Sequence, residues 1–269
     1  MLKRTVNISI ILSFLTVCVL FVPNGWAQST EKTSRSELPT KVTVRTLATD
    51  AKFIGTSMGG MKITIADANN GDILAEGLTQ GETGNTDKLV RQAHHRYGQL
   101  SEPGDAKFDT TLNLSQPIKV DIRAYGPLDY PNSAVTVSKQ VWLIPGKNMD
   151  EDGIILRVPG FVLEAQAEQN EYTLTSGKAS IKVKAHIVMM CGCPISDGGL
   201  WDSKPMEIEA QLVQDGRTIA RNPMGYIGQT NWFETYFNIT GKGSYQIRVT
   251  AFDPRSNNTA IDEYTIRVN

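Results

Sequence analysis

Ser180-Ile-Lys-Val-Lys-Ala-His-Ile-Val-Met-Met190 is the stretch on which the fold turns. In an extended chain Ile181, Val183, Ala185, Ile187 and Met189 share one side, and Lys182, Lys184, His186, Val188 and Met190 share the other. One apolar face and one mixed face at a period of two residues mark a β-strand that covers a core. The strand ends where Cys191-Gly-Cys193-Pro194 supplies two turn formers, Gly192 and Pro194, one residue apart.

Working outward, the same alternation recurs on both sides. It appears at Lys41–Leu47, Met61–Ala66, Phe108–Leu114, Ile118–Tyr125, Ala134–Ile144 and Ile154–Leu163. It resumes at Tyr172–Leu174, Met206–Val213, Thr218–Ala220, Trp232–Ile239, Tyr245–Phe252 and Ile261–Val268. Asn69-Asn70-Gly71 before Asp72–Ala75, Gln214-Asp-Gly-Arg217 and Gly241-Lys-Gly243 are turn sequences between such runs. Short strands with turn chemistry between them predict an all-β chain built from two β-sandwich domains. A polar stretch after Leu163 sets the expected boundary, giving domains at 41–165 and 166–269. Residues 28–40 are polar, without apolar period, and are expected to form a flexible leader. One segment departs from alternation: Leu89, Val90 and Ala93 fall at helical spacing within Asn85–Tyr97. A short helix at 86–97 is therefore expected as an insertion in the first domain, capped by Thr86 or Asp87.

The N-terminus reads as an export signal. Lys3 and Arg4 precede the apolar run Ile10–Val22, and Gly25-Trp26-Ala27 has a small-x-small cleavage pattern. The run is shorter than the ~20 residues of a spanning helix, so cleavage after Ala27 is favoured over a retained membrane anchor. A periplasmic, secreted or cell-surface location follows. Cleavage removes Lys3 and Arg4 and no acid, leaving 25 basic residues against 28 acidic and a net charge of −3. So mild a balance argues against a nucleic-acid partner.

Both cysteines of the mature chain lie in His186-Ile-Val-Met-Met-Cys191-Gly-Cys193-Pro194. Export favours paired, metallated or shielded thiols. Cys191 and Cys193 could close a tight disulfide if Gly192 bends the chain. Alternatively, both thiolates could hold Cu(I), with Met190 or a methionine from a neighbouring loop as third ligand. His186 is a further donor, but it lies about 13 Å from Met190 along an extended strand. Zinc wants four ligands, and the chain has 3 histidines. Met58 and Met61 could add thioethers to a copper site, or simply fill loop and core space. In the following loop, Trp201 could cover the sulfurs or a cation, or anchor the loop, and Asp202 could bind a cation or turn the chain. Adjacent His94 and His95 would diverge on a helix. The Trp232, Glu234 and Tyr236 face of its strand is either packing or a ligand platform. Asn148–Gly153 is acidic but lacks the spacing of an EF-hand loop.

Met61–Gly81, with its Asp67-x-x-x-Gly71 turn and Gly77-Leu-Thr-Gln-Gly81, resembles the opening of carboxypeptidase-regulatory or transthyretin-like β-sandwiches. Gly243-Ser-Tyr-Gln-Ile-Arg-Val-Thr-Ala-Phe-Asp-Pro254 with Ile261–Val268 is similar to the last hairpin of bacterial immunoglobulin-like domains. Each resemblance spans a few tens of residues and implies architecture with attachment or binding roles. No His-Glu-x-x-His, phosphate-loop or haem-attachment motif occurs. The leading expectation is an exported, non-enzymatic binding or accessory module with a protein, glycan or polymer partner. The alternative is a copper-handling or thiol-redox protein acting at Cys191 and Cys193.

Overall fold

A computed structural model describes residues 36–269; the expected signal, residues 1–27, lies outside the described residues. The first half contributes β1 (Leu38–Ala48), β2 (Lys62–Asp67), β3 (Ile73–Leu78), β4 (Phe108–Leu114), β5 (Ile118–Gly126), β6 (Val135–Leu143) and β7 (Met149–Val158). The second contributes β8 (Phe161–Ala167), β9 (Glu171–Tyr172), β10 (Ala179–Met189), β11 (Ile195–Ser196), β12 (Trp201–Asp202) and β13 (Glu207–Gln214). It continues with β14 (Arg217–Pro223), β15 (Gly225–Tyr226), β16 (Trp232–Ile239), β17 (Gly243–Asp253) and β18 (Asn258–Val268).

Each half is a β-sandwich. In the first, the sheet β4-β1-β7 faces β3-β2-β5-β6; in the second, β15-β16-β10-β8 faces β14-β13-β17-β18-β9. Alternation does the sorting. On β10, Ala179, Ile181, Val183, Ala185, Ile187 and Met189 are buried, and opposite them β17 buries Tyr245, Ile247, Val249 and Ala251. One continuous apolar cluster runs through both halves, from Val44 and Ile122 to Ile181 and Val249. Among the described residues, no helix is long and apolar enough to cross a membrane.

Several expectations need correction. Leu38, Pro39 and Thr40, read as leader, pair with Leu114, Asn113 and Leu112 on β4. Pro39 is tolerated because β7 joins the other side of β1 only from Val42 onward. The single strand expected at Ile154–Leu163 is two strands. Pro159-Gly160 breaks it, with Gly160 at φ +111°, and the chain passes there from the first sandwich to the second. The expected boundary at 165/166 falls inside β8, which pairs with β10 from Phe161 opposite Met189 to Ala167 opposite Val183.

The helical insertion is shorter than expected. It is a single wide turn, Asp87–Arg91, closed by Gln92 N–H donating to the Asp87 carbonyl at 2.9 Å. Its cap is neither Thr86 nor Asp87: the Asn85 side chain accepts from the amides of Asp87 at 2.9 Å and Lys88 at 3.2 Å. Leu89 plugs into a second, small cluster with Leu47, Phe53 and Ala106. Beyond it, His94, His95, Arg96 and Tyr97 are all exposed, so no buried face sustains further turns.

Candidate functional site

β10 carries the chain directly into the sulfur turn. Gly192 N–H donates to the Met189 carbonyl at 2.7 Å, and Met189 N–H donates to the Cys193 carbonyl at 3.1 Å. Met190, Cys191 and Gly192 thus form a three-residue hairpin loop, and its last position requires a left-handed backbone. Gly192 meets that requirement at φ +78°. Asn231 holds the returning arm, its side-chain oxygen accepting from Ile195 N–H at 2.8 Å. The turn brings the Cα atoms of Cys191 and Cys193 to 5.5 Å with their sulfurs facing each other. That spacing is within the range of disulfides. Both cysteines are nearly buried yet line a cavity of about 430 Å³ together with Met58, Lys52, Tyr130 and His186.

The expected donor set is only partly assembled. Met190 leaves the cysteines: its methyl group abuts Gly160, and it lines a different cavity with Phe161 and Thr259. His186 borders the cysteine cavity, but its ring packs tilted against Trp232, with centroids 5.1 Å apart, and Nδ1 lies 3.5 Å from Glu164. Met58 comes closest to the turn. A β-carbon placed on Gly192 would be 2.6 Å from the Met58 sulfur. Met61 is buried elsewhere, beside Gly126. Among the described residues, no three His, Cys, Asp or Glu side chains group as a metal would require.

Trp201 and Asp202 sit where the two sandwiches meet. Trp201 is buried and its indole N–H donates to the Asp50 carbonyl at 2.8 Å, tying the second half to the first. Asp202 accepts from the amides of Gly198 at 2.9 Å and Lys204 at 3.1 Å, which hold its carboxyl below the usual carboxylate range. Its carboxylate thus organises the turn. Fully buried Asn258 completes this junction, accepting from Gly160 N–H at 2.8 Å and donating to the Thr49 carbonyl at 3.0 Å. Burial pushes the adjacent Asp253 carboxyl up, but hydrogen bonds from Arg255 and Ser256 outweigh it and the pKa ends low. The face of β16 opposite Phe233 and Phe237 is outward: Glu234 pairs with Lys182 at 3.4 Å, and Lys182 lies over Tyr236.

A second site was not anticipated. Arg45, in the middle of β1, is only 2% exposed. Its Nη1 donates to the carbonyls of Asp105 at 2.7 Å and Ala106 at 3.0 Å, and Nη2 to Glu151 at 3.2 Å. Nε is buried without a partner. Burial pulls the guanidinium pKa down, countered by Asp105, Asp152 and Asp109. Opposite Thr43 the β1–β7 register jumps, because Val42 faces Met149 whereas Val44 faces Ile154. Residues 150–153 therefore bulge outward, and Asp152 accepts from Leu100 N–H at 2.8 Å and Ser101 N–H at 2.7 Å. Bulge, loop and strand enclose a cavity of about 690 Å³ lined by Lys41, Thr43, Arg45, Gln99, Lys107 and Asp150, among others. The signal lay in Thr43-Val-Arg45-Thr-Leu47: Leu47 on the supposedly solvated face implies that something covers Arg45 too.

No family model matches the chain, and comparison with curated proteins found no match. Solved structures give distant likenesses. One is an engineered protein (TM-score 0.30, 14% identity), covering 44% of this chain, which spans 22% of that protein. Another comprises the fibronectin(III)-like modules of Clostridium thermocellum CbhA, with TM-score 0.27, 11% identity, 86% of this chain and 94% of that one covered. Likenesses this distant assign neither family nor function, and the fold rests on the strand pairing described above. The two stretches that resemble known sandwiches do form antiparallel hairpins, β2–β3 and β17–β18.

Proposed function

We propose that the chain is an exported, non-enzymatic binding or accessory module, and that it holds a polar partner, a glycan or similar polymer, in the cavity around Arg45. One observation carries this reading: the cavity of about 690 Å³ is walled by irregular backbone, a four-residue bulge and the 99–107 loop, pinned by one buried guanidinium. Holding those loops in place before binding lowers the cost of ordering them in a complex. The lining mixes Lys41 and Lys107 with Glu102, Asp109 and Asp150, and adds the hydroxyls of Thr43, Thr110 and Thr111. Such a surface offers donors and acceptors without a dominant charge, which suits a hydroxyl-rich ligand over a polyanion. In this reading the cysteine pair is a disulfide that supports the junction between the sandwiches.

Glycan-array screening of the mature protein, followed by calorimetry, tests the reading. Thr111→Trp, which fills the cavity, and Asp150→Ala should abolish the observed binding while leaving the melting temperature unchanged. Absence of saccharide binding, or binding indifferent to both substitutions, would overturn it. Cell fractionation with N-terminal sequencing checks export, with Gln28 expected as the first residue.

A further inference from the structure

We infer that the reduced Cys191-Gly192-Cys193 turn is a site for monovalent copper, with the thiolates of Cys191 and Cys193 and the thioether of Met58 as its ligands. This assignment does not depend on the polar-ligand cavity. Two positions place the ligands. Gly192, at φ +78°, turns both cysteine sulfurs toward each other. The Met58 side chain, delivered by the 3₁₀ turn Thr56–Met58, rests on that glycine where any other residue would carry a side chain.

All three sulfur-bearing residues line the same 430 Å³ cavity, so an ion arriving through it meets them together. Met190, the thioether nearest in sequence, faces Gly160 instead and is not part of the set. Two thiolates and a thioether are soft donors that select Cu(I), whereas zinc prefers four ligands drawn from thiolate, imidazole and carboxylate. The complex of two thiolates with Cu(I) carries one net negative charge. Lys52, on the cavity wall with Nζ 3.3 Å from the Gly84 carbonyl, supplies a nearby cation.

An exported dithiol reductant exchanges its two S–H bonds for an S–S bond, and the disulfide of Cys191 and Cys193 becomes two thiols. Cu(I) then displaces both thiol protons to solvent. The oxidised turn has no thiolate to offer, so metal and disulfide are mutually exclusive states of one site.

The test uses the full mature protein, reduced with a phosphine, desalted without oxygen and titrated with Cu(I) against bicinchoninate. Reduced protein should withdraw one equivalent from the chelator, and oxidised protein none. Cys191→Ser should abolish retention. Met58→Leu keeps the volume and should weaken binding by roughly tenfold or more, the scale seen even for indirect partners of metal ligands. Met190→Leu should leave it unchanged. X-ray absorption of the loaded protein should show only sulfur neighbours. Failure of reduced protein to compete, or equal affinity in Met58→Leu and Met190→Leu, would overturn the assignment.

Discussion

The Met58 sulfur occupies the space in which a side chain at Gly192 would begin: a β-carbon there would approach it to 2.6 Å. One contact therefore couples the loop of the first sandwich to the sulfur turn of the second. Gly192→Ala should cost about 1–2 kcal/mol for the left-handed backbone and a further ~1–3 kcal/mol for overpacking against Met58. Adding Met58→Ala should relieve the second part, so the double variant should be more stable than the sum of the single losses implies. A double-mutant cycle by urea denaturation measures this, and strict additivity would show that the contact carries no energy.

Trp201 joins the halves through both its ring and its N–H. Trp201→Phe retains most apolar burial and loses the bond to the Asp50 carbonyl, at about 1 kcal/mol. Trp201→Ala should cost about 3–5 kcal/mol. Hydrogen exchange should accelerate at residues 48–54 in the alanine variant well beyond the phenylalanine one. Equal protection in both would contradict the anchoring role.

Asn258 has no neutral substitute. Alanine leaves Gly160 N–H and the Thr49 carbonyl unpaired, each at about 1–3 kcal/mol if water does not replace the partner. Asn258→Asp should be no better, because a carboxylate oxygen would then face the Thr49 carbonyl. Thermal melts of the two variants should fall together, well below that of the unaltered protein.

Asp253 predicts an acid limb in stability. Its pKa is depressed in the folded chain, so the stabilisation is fully present above the ordinary value of about 3.9 and is lost as pH falls toward the lower native value. Asp152, held low by the amides of Leu100 and Ser101 after burial is offset, acts in the same direction. Asp253→Asn should lower stability at pH 7 and flatten the loss below about pH 4. Denaturation midpoints across that range, compared with the unaltered protein, decide it.

Arg45→Met should destabilise by roughly 3–5 kcal/mol, as removal of one member of a buried charged network does. The carbonyls of Asp105, Ala106 and Glu151 lose their donor, and Asp109 and Asp152 lose a compensating cation. Limited proteolysis should then cut within 99–107 first. Arg45→Lys should recover only part of the loss, because a single ammonium lacks the planar fork that reaches carbonyls on the 99–107 loop and the bulge alike.

The sequence by itself determined the strands and many of their turns. Alternation in β10, β16 and β17 reports which side chains meet water, and Asp215-Gly216 reports a local backbone need; both are properties of neighbouring residues. It also determined that Gly192 must bend the chain between two cysteines. Which methionine faces those sulfurs was decided only in three dimensions, since Met58 and Gly192 are brought together by the docking of two sandwiches and no local period records it. The same holds for Arg45. Its strand alternates like any other, and only the fold of a distant loop over its outer face turns a surface arginine into a buried one. Local conformational preference is written every two or three residues, whereas contacts between remote segments depend on how whole sheets bury their remaining apolar area.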